Sequence, residues 1–213
     1  MPSSPLQNRV LPTGEIIATS SRGLFFGNRG GRLHDPSTRI LLSRRWTSKR
    51  WICCCLSFKG RQRQVMGPGY TELFFLDEVT ALASGHRPCF ECRRQDAKAF
   101  GAAFSQGQDA PAPLKADAID MILHEERLAR PRPFLVPDEI KALPDGTMVL
   151  SDDQVLALRD GASWAWSEDG YRLDKPIAEL AKIKGASVEL VTPPSIVAAL
   201  RHGFQPAWHP SAA

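Results

Sequence analysis

Acid is scarce at one end of this 213-residue chain: residues 1–66 hold only Glu15 and Asp35 against 12 lysines and arginines, a net charge of +10. Residues 67–213 reverse the balance, with 15 basic against 21 acidic side chains, a net of −6. A basic half of this kind either neutralises phosphates or pairs with the acidic half of its own fold. Long apolar runs are missing too. No stretch approaches the roughly 18 apolar residues of a membrane-crossing helix, and Met1–Gly14 has no apolar signal core. The expected address is the cytoplasm, with no membrane partner. The five cysteines are an odd number and three of them are consecutive, Cys53-Cys54-Cys55, which argues against a secreted disulfide framework and for reduced thiols, free or on metal. The glycine-rich run Gly23–Pro36 fits neither a dinucleotide fingerprint nor a P-loop.

What is present reads as alternating short strands and helices. The proline-containing lead-in, residues 1–14, is expected to be irregular, followed by a strand at Glu15–Ser20 and by a strand with tight turns within Gly23–Pro36. Two apolar stretches, Arg39–Trp46 and Trp51–Phe58, read as strands of a hairpin. Thr71–Leu76 reads as a strand, with Asp77 as N-cap of a helix over Glu78–Ser84 that Gly85 closes. A second helix is expected over Glu91–Phe104, a loop or hinge over Ser105–Pro113, and a third helix over Leu114–Ala129 ended by Pro131 and Pro133. Segments 147–150, 155–158, 163–166 and 171–173, separated by Asp/Gly turns, predict an antiparallel meander. A last strand, Val188–Val191, leads through Thr192 as N-cap into a helix over Ser195–His202. The expected class is α+β, with residues 1–106 as a basic, metal-stapled region carrying a small antiparallel sheet and residues 107–213 as an acidic helix-plus-meander region, or the two as one continuous domain.

The chemistry concentrates in His86-Arg87-Pro88-Cys89-Phe90-Glu91-Cys92-Arg93-Arg94. Two thiols three residues apart, between a helix-ending glycine and a new helical run, can converge on one soft cation, and neighbouring arginines favour thiolates. Cys89 and Cys92 make half a site. Along a strand, Cys53 and Cys55 share one face and Cys54 the other, so the triplet cannot give all its sulfurs to one ion. Cys54 and His34 are the favoured remaining ligands, with His86 as competitor, and zinc is the favoured metal. Packing alone would be the other use of Cys89 and Cys92. His124-Glu125-Glu126-Arg127 reads as a solvated helix face, since His124 lacks the second histidine of a zincin. Were there an acid/base site, Asp35, Glu72, His124 and Glu126 would be its groups.

The stretch from Phe74 through Asp77-Glu78 and the alanine-rich helix to Gly85-His86-Arg87-Pro88-Cys89-x-x-Cys92 resembles the second half of the zinc-binding module of Ada-type DNA-repair proteins. The resemblance covers residues 71–94 and implies Cys89 and Cys92 as zinc ligands. It does not carry over methyl acceptance, because that family's first cysteine pair is spaced differently from the triplet found here. The whole chain also resembles an uncharacterised bacterial group sharing the Tyr70-Thr71-Glu72-Leu73-Phe74-Phe75-Leu76-Asp77-Glu78 run, which implies no activity.

These features together predict a cytoplasmic zinc-binding protein that contacts nucleic acid, DNA ahead of RNA, in repair or processing, with no obligate protein partner. Arg44, Arg45, Lys49, Arg50, Arg61 and Arg63, interleaved with Trp46, Trp51 and Phe58, are the expected phosphate contacts. The alternatives are a metal-dependent hydrolase or nuclease, and a zinc-stabilised scaffold that binds protein.

Overall fold

A computed structural model of the chain describes residues 4–182 and 188–212. In chain order its elements are β1 (Gln7–Val10), β2 (Ile16–Ala18), β3 (Phe25–Asn28), β4 (Ile52–Cys55), β5 (Leu73–Phe75), α1 (Glu78–Ala83), β6 (Arg87–Pro88), α2 (Arg94–Gly107) and α3 (Ala116–Leu128). Then come β7 (Phe134–Leu135), α4 (Pro137–Lys141), β8 (Met148–Ser151), β9 (Gln154–Arg159), β10 (Ala162–Ser167), β11 (Gly170–Pro176), α5 (Ile177–Leu180), β12 (Val188–Leu190) and α6 (Pro194–Arg201). The fold is α+β, built on two mostly antiparallel sheets ordered β2-β1-β5-β3-β4-β6 and β11-β10-β9-β8-β12-β7.

The second sheet is the expected meander, and its turns follow from residue chemistry. Asp152-Asp153 and Asp160-Gly161 form the two-residue loops between β8 and β9 and between β9 and β10, all four at positive φ. This is the backbone that matches the right-handed twist of antiparallel strands and that Asp and Gly tolerate best. In the first sheet, helix α1 starts where Asp77 accepts the Thr80 amide at 2.8 Å and stops where Gly85 turns left-handed at φ +80. A Cβ there would come 3.0 Å from the flexible Arg127 side chain, which would have to give by a few tenths of an ångström, so it is the positive φ that selects glycine.

The N-terminal half departs from expectation in three places. The lead-in contains a strand, β1, which lies between β2 and β5, although residues 1–3 fall outside the described residues. Arg39–Trp46 is not a strand and forms no hairpin with residues 51–58. Strand β4, the expected hairpin partner, already has β3 on one side and β6 on the other, so residues 39–46 instead fold back on residues 33–35 with a bridge from His34 to Leu41, leaving Ile40 and Leu42 exposed. Helix α2 begins at Arg94 because Cys89–Arg93 is spent in a turn closed by the Arg93 amide on the Cys89 carbonyl at 3.0 Å. The loop after α2 does not part the core: Leu82 and Phe100 pack in one cluster with Ile119, Leu123, Ile196 and Phe204.

Candidate metal centre

Strand β4 and the cysteine turn meet because β6 runs parallel to β4, Cys53 opposite Pro88, and the Cys89 amide donates to the Cys53 carbonyl at 2.9 Å. That register sets Cys89 beside the Cys54 face of the strand. The sulfurs of Cys54, Cys89 and Cys92 all lie within 4.8 Å of one another. A tetrahedral thiolate site with Zn–S near 2.3 Å has its sulfurs about 3.8 Å apart, so the three donors fit a soft metal ion with little adjustment. Among the described residues no fourth His, Cys, Asp or Glu joins the group.

The turn is arranged to hold negative charge on sulfur. Cys89 is drawn down to about 5, chiefly by the hydrogen bond from the Cys54 thiol and against the opposing effect of burial, with help from the Cys92 and Glu91 amides. The Glu91 N–H lies 3.4 Å from the Cys89 sulfur. Cys54 is pushed up by that same shared proton and by burial, and burial pushes Cys92 up to about 11. Without a cation, then, the three sulfurs share negative charge reluctantly; a bound cation would favour deprotonation of all three. Phe26, with Ile52 and Phe74 partly buried, packs around them.

His34 is not a ligand. It is fully buried, with Nδ1 2.6 Å from Thr71 Oγ1 and Nε2 2.9 Å from the Gly67 carbonyl, so both ring nitrogens pin the Gly/Pro turn before β5. His86 is engaged as well: Nε2 accepts from Arg29 Nε at 3.3 Å and Nδ1 faces Ser84 Oγ at 2.9 Å. Cys53 points to the other face of β4, among Leu33, Leu73 and Phe75. Cys55 turns its thiol to the Ser57 carbonyl at 3.1 Å.

The predicted phosphate contacts are spread over this half and are not equivalent. Arg50 pairs with Asp117 at 3.2 Å and Arg61 with Glu91 of the cysteine turn. Arg63 lies over the Phe26 ring at 4.5 Å, Lys49 reaches the Met121 sulfur, Arg45 curls onto carbonyls of its own loop, and Arg44 is exposed. The acid/base groups do not assemble. Asp35 ties Ser37 and Thr38, Glu72 accepts the Met66 amide, and Glu126 accepts the Ser195 amide at the start of α6. Glu126 and Arg127 are thus drawn off the solvated face expected of them.

Burial, aided by the charges of Arg29 and Arg127, holds His86 far below the usual imidazole range. A histidine buried neutral charges only on unfolding, so the unfolded state takes up a proton that the folded state refuses. Stability is expected to fall as pH drops below about 6.5, by up to roughly 1.4 kcal/mol per pH unit. Urea melts of wild type and His86→Gln between pH 7.5 and 5.5 check this; parallel slopes for the two proteins would contradict it.

Fold and site define an α+β protein with a cysteine cluster able to hold a metal ion. Compared with protein-family models, with curated proteins and with solved structures, the chain matches none.

Proposed function

We propose that the protein binds zinc through Cys54, Cys89 and Cys92 and contacts nucleic acid, DNA ahead of RNA, through the basic loops of its N-terminal half. The observation that carries the metal is the convergence of three sulfurs on a turn whose amide hydrogens point at them. Zinc is the ion because thiolate donors with nitrogen and oxygen held elsewhere suit a soft, redox-silent cation. The nucleic-acid contact is supported by charge and by arginines and aromatics on one half: among the described residues, Arg44, Arg45, Lys49 and Arg63 have no carboxylate within 4.0 Å. The resemblance of residues 71–94 to the Ada-type module points the same way.

Elemental analysis of untagged protein tests the first part, with about one zinc per chain expected and its loss in Cys54→Ser and Cys89→Ser. Salt titration of DNA binding tests the second. Contact with four phosphates predicts roughly 100-fold weaker binding for a fourfold rise in salt; affinity indifferent to salt would remove the nucleic-acid reading and leave a protein-binding scaffold.

Three protein donors favour a second reading, a metal-dependent hydrolase with water in the fourth position. It requires a base beside the ion. Strand cleavage that is lost in Cys89→Ser and with chelator would decide for it.

A further inference from the structure

On the side of the molecule where the two sheets meet, a cleft of about 580 Å³ opens between the β1–β2 turn, the end of β3, the segment after α3 and the start of α6. Its volume is that of a small-molecule site. Five arginines line it, Arg29, Arg45, Arg127, Arg130 and Arg132, against two carboxylates, Glu15 and Glu126. Both carboxylates are already engaged. Glu15 takes the Thr13 hydroxyl at 2.9 Å, and Glu126 takes the Ser195 amide and hydroxyl at the head of α6. Among the described residues none of the five guanidiniums has a carboxylate within 4.0 Å.

Two of these arginines are placed as no ordinary surface cation would be. Arg29 is 1% exposed and donates only to neutral groups, the Gly14 carbonyl at 2.8 Å, His86 Nε2 at 3.3 Å and the Arg45 carbonyl at 3.5 Å. Arg127, half-buried, donates to the Gly85 carbonyl at 2.9 Å and to the Lys49 carbonyl, lies 3.2 Å from His124 Nδ1 and feels the charge of Asp120 beyond ion-pair distance, while its Nε is buried without a hydrogen-bond partner. Both guanidiniums pack on the same indole, 3.9 and 4.0 Å from the Trp51 ring. Cation–π contact offsets part of the desolvation, but two like charges on one ring repel, and burial with that repulsion drags Arg29 down to about 9. Buried charge is ordinarily paired. This excess of positive charge, at the wall of an open cleft, is matched by an anion of at least two charges, and guanidinium forks are suited to phosphate.

The cleft also offers a plane. Trp46, 39% exposed, stands on its wall 6.2 Å from Trp51 and edge-on to His124 at 5.8 Å. An exposed indole next to phosphate-binding arginines is the arrangement that stacks a nucleobase.

We propose that this cleft binds a phosphomonoester carried on a planar base, either a free mononucleotide or the phosphorylated end of a single strand. Arg29, Arg127 and Arg132 take the phosphate and Trp46 takes the base. The site goes beyond the reading of the basic loops above and needs neither the metal nor Arg44, Lys49, Arg50, Arg61 or Arg63; the two share only the lining residue Arg45. Failure of the two readings can be told apart, because mononucleotide titration reports only on the cleft and salt-dependent duplex binding only on the loops.

The test is calorimetric titration of the full chain with adenosine 5′-monophosphate, adenosine and inorganic phosphate. The monophosphate is expected to saturate one site, with adenosine at least tenfold weaker. Arg127→Gln and Arg132→Gln are each expected to weaken it tenfold or more, and Trp46→Ala to weaken the monophosphate but not inorganic phosphate. Arg29→Gln removes a buried side chain and can unfold the protein, so Arg127→Gln, Arg132→Gln and Trp46→Ala carry the test. Single-stranded oligonucleotides with a 5′-phosphate or a 5′-hydroxyl separate the two sources. A 5′-phosphorylated strand that outcompetes the mononucleotide tenfold identifies a strand end, and parity identifies the free nucleotide. No saturable binding of any phosphorylated probe at millimolar concentration would overturn the proposal, as would monophosphate binding unchanged by Arg127→Gln and Trp46→Ala together.

Discussion

Cys89→Ser is expected to abolish metal uptake and to lower the melting temperature by about 10 °C or more. Cys89 is the hinge of the cluster: its amide ties it to β4, its carbonyl closes the turn, and its sulfur accepts the hydrogen bond of the Cys54 thiol. Structural zinc in small domains carries on the order of 10 kcal/mol of apparent binding free energy at neutral pH. This chain has several hydrophobic clusters of its own, so it should remain folded without the ion and lose only a share, roughly 3–4 kcal/mol. For a domain of this size each kcal/mol moves the midpoint by about 2–4 °C. The discriminating controls are Cys55→Ser and His34→Ala. Cys55 turns its thiol to Ser57 and His34 is occupied by Thr71 and Gly67, so both variants should keep full metal content even where His34→Ala destabilises. A Cys89→Ser protein that melts like wild type and holds as much metal would reduce the cluster to packing.

A cost of similar size is expected from cutting the ion pair beneath that turn. Glu78, at the first position of α1, holds Arg93 through both carboxylate oxygens at 2.6 and 2.8 Å, and both side chains are almost wholly buried. Arg93 also contacts Asp96 and lies 3.6 Å from the Cys53 sulfur. Removing one partner leaves the other charged and buried with reduced pairing, Arg93 with only the half-exposed Asp96 and Glu78 with only the Ala207 amide, and losing one partner of a buried pair costs roughly 3–5 kcal/mol. Glu78→Gln and Arg93→Met should each fall in that range in urea melts. The double variant should cost clearly less than their sum, since neither partner is then stranded. Strict additivity would mean that the two groups do not act as a pair.

Much of this was legible from residue order, and the exceptions share a cause. The meander and α1 with its Asp77 cap and Gly85 stop are local: turn residues and capping groups sit next to the elements they shape. Helix α6 lies where expected, but Thr192 does not cap it, because its hydroxyl accepts the Met148 amide at 2.8 Å and Pro193 precedes the helix instead. The selection of Cys54 from the triplet was also readable, since strand alternation alone separates it from Cys53 and Cys55. His34 misled because a histidine near a turn looks the same in sequence whether it meets metal or the Thr71 hydroxyl 37 positions on. Arg39–Trp46 misled because its apolar content suits a strand while β4, lying between β3 and β6, has no free edge to accept one. The arginine cleft left no local trace at all. Arg29 and Arg127 are 98 positions apart, in a glycine-rich turn and on a polar helix face, and only the fold brings both to Trp51.

The tail clasps the first helix: the Ala207 amide donates to the Glu78 carboxylate at 2.9 Å and the His209 amide to Asp77 at 3.0 Å, across 129 and 132 positions. During synthesis, two buried carboxylates near residue 78 therefore wait for donors that leave the ribosome roughly ten seconds later at ordinary elongation rates. Until then Glu78, the partner of Arg93 in the cysteine turn, lacks one of its native donors, so the thiols leave the ribosome before the clasp on the helix beside them can close.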